Sequence, residues 1–179
     1  MPRAQRPDMA GYGVPADPAG VLPWSWAEQR LMANRNYWVV TASATGRPHA
    51  MPVWGVWLAS PDRFWFSCAP GARKVRNLRA NPQCVIAVAD TVECVSVEGS
   101  ASVTTNDVEP SRIDAVVAAY LVKYWPESDS TTEMEAFLRA NALVEVVPDR
   151  AFGIIEREAE FAERATRWVW SAPRQHQAA

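Results

Sequence analysis

Four cations fall within seven residues, Arg73, Lys74, Arg76 and Arg79, just after Pro70-Gly71. The run from about Ala72 to Ala80 is closed by Asn81-Pro82, so the pattern predicts a short helix. Gly71 lets the chain turn sharply into that helix, whose free N–H groups and positive dipole end favour an anion. Arginine forks and a lysine point charge add charge-assisted bonds to phosphate oxygens. At helical spacing Arg73, Arg76 and Asn77 share one face, with Val75 and Leu78 turned to the core. A solvated helix face has the same pattern, and spacing alone leaves both readings open.

Other chemistries have little support. There are two histidines, His49 and His176, so a triad has few candidate bases and a histidine-rich metal site lacks ligands. No nucleophile elbow, P-loop or dinucleotide-binding glycine motif is present. The expectation is no acid–base constellation and no metal site. His49 lies between Pro48 and Pro52 in a β-rich run. Each proline removes a ladder donor, so the ladder there should be irregular and leave backbone groups free for a ring edge. His49 itself reads as a wall or surface residue. Of nine tryptophans, Trp38, Trp65 and Trp170 are expected in a core or interface, while Trp54, Trp57 and Trp168 are candidates to face a flat ligand. Glu98 falls on the polar side of its strand and reads as solvated.

The chain has 179 residues, 49 % apolar, with net charge −2. That suits one domain and argues against nucleic-acid binding, which favours a cationic excess. Cys68, Cys84 and Cys94 form neither a disulfide framework nor a zinc spacing; reduced cysteines and a cytoplasmic location are expected. No apolar run is long enough to span a bilayer and no secretory signal is visible. Residues 1–22, rich in Pro and Gly, read as a mobile arm. A domain over 23–172 and a polar tail at 173–179 follow.

Ordered structure is expected to begin at Ser25, which with Glu28 makes a capping-box pattern, and to run as a helix to about Arg35. Strands are predicted at 37–43, 49–58, 63–68, 84–89 and 93–103, the last alternating Val95, Val97, Ala101 and Val103 against Ser96, Glu98, Ser100 and Ser102. Helices are predicted near 110–125 and 132–141, then strands near 143–147, 151–156 and 166–171. Many strands with short turns, and hardly any crossover helix, predict a mainly β fold: an antiparallel barrel with peripheral helices.

Three stretches, Gly46-Arg47-Pro48-His49-Ala50-Met51-Pro52-Val53-Trp54, Phe64-Trp65-Phe66-Ser67 and Arg73-Lys74-Val75-Arg76-Asn77-Leu78-Arg79-Ala80-Asn81-Pro82, resemble the pyridoxamine 5′-phosphate oxidase-like split-barrel superfamily. More narrowly they resemble its actinobacterial flavin/deazaflavin-dependent oxidoreductases. The likeness continues through Val97-Glu98-Gly99, Ala151-Phe152-Gly153 and Ala165-Thr166-Arg167-Trp168 and spans about residues 30–170. It implies an FMN-binding-like split β-barrel and a homodimer with two cofactor sites at the subunit interface. It also implies that His49, Ala50, Met51, Pro52 and Val53 lie along the cofactor ring, that Ser67, Arg73, Lys74 and Asn77 hold the phosphate end, and that Trp168 belongs to the site. The expected activity is hydride transfer from reduced coenzyme F-420, a deazaflavin, to a small unsaturated acceptor. Alternatives are FMN on the same fold, or a non-catalytic protein that binds a cofactor or tetrapyrrole. The residues that bind pyridoxamine phosphate itself are not found.

Overall fold

The computed structural model describes residues 1–104, 110–126 and 131–171; the polar tail and His176 lie outside them. Six strands close an antiparallel barrel: β2 (Asn36–Ala42), β3 (Pro48–Ala59), β4 (Asp62–Cys68), β5 (Gln83–Val88), β6 (Glu93–Val103) and β7 (Ala142–Ile155), joined in the order β7-β4-β3-β2-β5-β6-β7. β8 (Thr166–Val169) extends β7, and β1 (Arg3–Gln5) pairs with β8. The mainly β barrel expected from the sequence is what the chain forms.

The barrel holds one core. Alternation carries Tyr37, Val39, Phe64, Phe66, Ile86, Val95 and Val97 inside, all fully buried. Two helices reach opposite ends of β2. The Tyr37 hydroxyl bonds backbone carbonyls at the end of α1 (Trp24–Ala33). Thr41 accepts a bond from Asn77 of α2 (Arg73–Ala80). These β2 positions are roughly 13 Å apart at strand rise. A second apolar layer joins the outer face of β3 and β4, at Val56 and Trp65, to α3 (Pro110–Tyr124) and α4 (Thr132–Ala140).

Several expectations are corrected. The first 22 residues are docked rather than loose. Besides the β1–β8 pairing, the Arg6 guanidinium donates to the carbonyls of Asp17 (3.0 Å), Glu163 (2.8 Å) and Ala165 (2.9 Å), while Val14 and Leu22 are buried. α1 starts one residue before Ser25 with Pro23 as its N-cap, and no side chain caps it. Glu28 instead accepts from the Trp24 indole at 3.3 Å. The two strands expected at 143–147 and 151–156 are one, because Pro148 sits where the β6–β7 register shifts, between Glu98 and Gly99. Proline is tolerated at such a bulge, and Gly99 is required there: a β-carbon would run into the Val147 carbonyl. A short helix, α5 (Phe161–Arg164), was not expected.

β3 changes partner midway. Residues 48–54 pair with β2 and residues 55–59 with β4, so at Trp54-Gly55 the strands part and backbone groups lose their ladder. α3 fills the gap with side chains. The Tyr120 hydroxyl accepts from Ser67 N–H (2.9 Å) and donates to the Trp54 carbonyl (2.8 Å). Tyr124 accepts from Gly55 N–H (2.9 Å) and donates to the Arg35 carbonyl (2.6 Å). The Lys123 ammonium donates to the Tyr37 hydroxyl (2.6 Å) and the Gly55 carbonyl (3.2 Å). Buried backbone groups need such partners. Burial holds the Tyr120 phenol in its neutral form and pushes the Lys123 ammonium down to about 8, with Arg35 adding to the effect.

Tyr120→Phe leaves Ser67 N–H and the Trp54 carbonyl unpaired and should lower unfolding free energy by about 1–3 kcal/mol in denaturant titration. Lys123 binds its proton less tightly folded than unfolded, so deprotonation favours the folded state. Stability should rise from pH 8 towards 10.5, the unfolded value, relative to Lys123→Met. Parallel pH profiles of the two proteins would refute this.

Candidate functional site

The change of partner exposes one edge of β3. Trp54 turns its carbonyl away from β2, towards Ser67 on β4. Strand alternation then brings the backbone groups of residues 48, 50 and 52 to that same edge. Pro48 and Pro52 have no N–H, so the edge offers three carbonyls and one donor, Ala50 N–H. This corrects the expected irregular ladder: β2 and β3 pair without a break from residue 48 to 54, because both prolines face the unpaired side. The freed backbone groups are there for a different reason.

Side chains of this segment point two ways. Ala50, Pro52 and Trp54 are exposed on the outer face, whereas Val53 turns inward and is buried. His49 is half-buried, and its Nδ1 is buried without a hydrogen-bond partner. Burial first, then the charges of Arg73 and Lys74, hold its imidazole below the usual histidine range and so neutral. Both α2 cations are thus near enough for their charge to act on His49, at the beginning of β3.

Arg73 and Lys74 are the first two residues of α2, and Arg76 and Arg79 follow on its exposed side. Among the described residues none of these four cations has a carboxylate within ion-pair distance, although Arg30, Arg63, Arg112, Arg139, Arg150 and Arg157 all do. Arg76 donates to the Gly71 carbonyl at 2.8 Å, which folds the turn against the helix. Local positive charge is thus left uncompensated in a chain of net charge −2. Such a corner suits a multiply charged anion.

Two expected ligand residues stand elsewhere. Asn77 does not share the face of Arg73 and Arg76. It is buried with Val75 and Leu78, and its amide donates to Thr41 Oγ1 at 2.9 Å, fixing α2 to the barrel. A residue four after Arg73 on an eight-residue helix sits at the margin of its buried face, and the core claimed it. Trp168 is fully buried against Trp24 and Trp26, with Gly153 beneath its ring, so it presents no face to a ligand. Trp57 is likewise buried, Trp38 is exposed, and Glu98 is ion-paired with Arg150 at 2.5 Å. Ser67, expected at the phosphate end, lies on β4 and is bridged to Trp54 by the Tyr120 hydroxyl.

The sequence places Tyr120 and Tyr124 in the helix predicted near 110–125 and assigns them no role. Two tyrosines four residues apart on a buried helix face are themselves a signal, since each buried hydroxyl needs a partner. Behind Trp54 and Ser67 lies a recess of about 430 Å³ reaching α3 and α4. Trp54 belongs both to the open end of β3 and to this recess, and the charges of Arg73 and Lys74 act on His49 of the same strand; together these make the candidate site. Its charge suits a phosphate-bearing ligand, and its open backbone groups suit the edge of a planar one.

Residues 27–152 match the family profile of pyridoxamine 5′-phosphate oxidase. No curated protein sequence matches the chain. Among solved structures, Rv2991 from Mycobacterium tuberculosis, described as a conserved hypothetical protein, is 20 % identical over 73 % of this chain and 82 % of its own, with TM-score 0.62. An F420 reductase is 20 % identical over 69 % and 94 %, with TM-score 0.52. The heme storage protein HutZ from Vibrio cholerae is 20 % identical over 70 % and 87 %, with TM-score 0.52. At these identities the likeness shows the fold. The profile match, covering most of the barrel, and the split-barrel architecture agree: this chain belongs to the pyridoxamine 5′-phosphate oxidase family.

Proposed function

We propose that this chain is an oxidoreductase that binds reduced coenzyme F-420 and passes a hydride to a small unsaturated acceptor. The observation that carries the reading is the cationic start of α2, uncompensated by any described carboxylate and set beside an unpaired strand edge. The residues fit the cofactor. Arg73 and Lys74 would take its phosphate; their charges act on His49, whose buried Nδ1 has no hydrogen-bond partner. Ala50 N–H and the neighbouring carbonyls would bond the ring edge. Arg76 and Arg79 extend the positive track along the helix beyond what one phosphate needs, which favours the longer anionic tail of the deazaflavin over FMN.

When bound, the reduced deazaflavin supplies the hydride; the chain orients it and excludes water. The β3 edge would hold the ring, and Asn77 ties α2, with its cations, to β2. No acid–base group of the chain is required if the proton comes from solvent. Trp38, Pro52 and Trp54 leave an apolar outer face on β2 and β3. The proposal includes a second copy of the chain seated on it, completing the site as a homodimer. FMN at the same corner is the nearest alternative, and heme uptake without turnover is a third outcome worth measuring.

A binding screen of F-420, FMN, FAD and heme against the purified chain tests the reading. F-420 should bind most tightly, and uptake should be lost in Arg73→Ala/Lys74→Ala while circular dichroism stays unchanged. Undiminished affinity in that double variant would contradict the proposal, as would a preference for heme.

A further inference from the structure

The recess behind Trp54 differs in character from the corner beside it. It is bounded by Trp54 and Ser67 of the barrel and by Tyr120, Trp125, Phe137 and Asn141 of the helical segment between β6 and β7. No charged side chain of the described residues lines it. The titratable groups that do are held neutral: burial pushes up both the Cys68 thiol and the Tyr120 phenol. Its volume, about 430 Å³, lies within the usual range for small-ligand sites.

Its walls are flat and held in place. The Trp54 ring stacks on Tyr124, centroids 5.0 Å apart and planes 16° apart, and meets Trp125 edge-on at 5.6 Å. Tyr124 is itself fixed by its bonds to Gly55 and Arg35. Trp54 remains 49 % exposed and Phe137, on α4, 59 %. Two large aromatic surfaces thus border one opening without burying each other. At the polar end, Ser67 spends its backbone N–H on Tyr120, leaving its hydroxyl free to turn. Asn141 spends its amide N–H on the Phe137 carbonyl (2.8 Å), so its oxygen faces the role of acceptor.

We infer that this recess is the acceptor subsite and that it selects an uncharged, planar aromatic molecule bearing a carbonyl or hydroxyl group. The inference rests on the cofactor reading above for the word acceptor, while the preference for neutral aromatic ligands stands on the recess itself. The site is divided by charge. Anion binding is assigned to the α2 corner; in the recess a second anion would be desolvated with no lining cation to meet it, since Lys74 of the corner acts only on its Cys68 wall. Aromatic stacking and apolar contact supply the attraction, and the Ser67 and Asn141 groups set direction. A phosphorylated or carboxylated acceptor is selected against by the same walls. The helices α3 and α4 are therefore specificity elements as well as a plug for the barrel.

Two quinones that differ chiefly by a charge test this. The full chain is titrated with menadione and with 1,4-naphthoquinone-2-sulfonate, with and without oxidised F-420, reading tryptophan fluorescence quenching. Menadione should bind at least about ten-fold more tightly than the sulfonate, since the recess offers nothing to offset the desolvated charge. Phe137→Lys, at an exposed position, should narrow or invert that ratio, and Trp125→Ala should weaken menadione binding. Equal affinities, a preference for the sulfonate, or an unaltered ratio in Phe137→Lys would overturn the inference. If menadione is preferred as expected but F-420 does not bind, the cofactor reading fails while the neutral aromatic site is upheld.

Discussion

The structure turns on an open seam. Where β3 leaves β2 for β4, at Trp54 and Gly55, the barrel cannot satisfy its own backbone, and three side chains of one helix do so instead. Filling a seam with hydroxyls and an ammonium, rather than with another strand, keeps the first half of β3 free along its outer edge. Closing the ladder would have stabilised the barrel and erased the site. Burial keeps both tyrosines protonated and lowers the Lys123 ammonium to about 8, so its charge is held less firmly than in water.

From that seam the site acquires its parts in a fixed order. The exposed edge runs from His49, where the charges of Arg73 and Lys74 act, to Trp54, which lines the uncharged recess. Asn77 and Tyr120 are the two positioning contacts, one tying α2 to β2 and the other tying α3 across β3 and β4. Neither needs to touch a ligand. Both decide where ligand-binding groups stand, which is why the two ends of the site have different electrostatic character within one small barrel.

Much of the barrel was legible because its causes are local. The alternation in β6, the turns after Ala59 and Cys68, and the α2 pattern bounded by Gly71 and Asn81-Pro82 each rest on a few neighbouring residues. The errors came where distant contacts decide. Pro148 looks like a strand breaker until Gly99 is seen across from it, accepting the bulge. A Pro- and Gly-rich arm looks mobile until Arg6 finds carbonyls 157 and 159 residues away in sequence. Asn77 was placed with the cations by helical spacing, yet it turns to Thr41, a contact that only the docking of α2 creates. Trp168 was assigned by resemblance, and its burial is set by α1. Tyr120 and Tyr124 carried a readable hint in their buried hydroxyls, but the gap they fill belongs to the topology.

The central claim is that α2 neutralises a bound anion locally. Salt dependence of F-420 affinity measures this most directly, because the chain as a whole is negative and its long-range field would repel the ligand. Titrations between about 0.05 and 0.5 M salt should show affinity falling steadily as the local cations are screened. Affinity that stays level, or that rises with salt, would mean that the arginines and lysine of α2 do not hold the ligand.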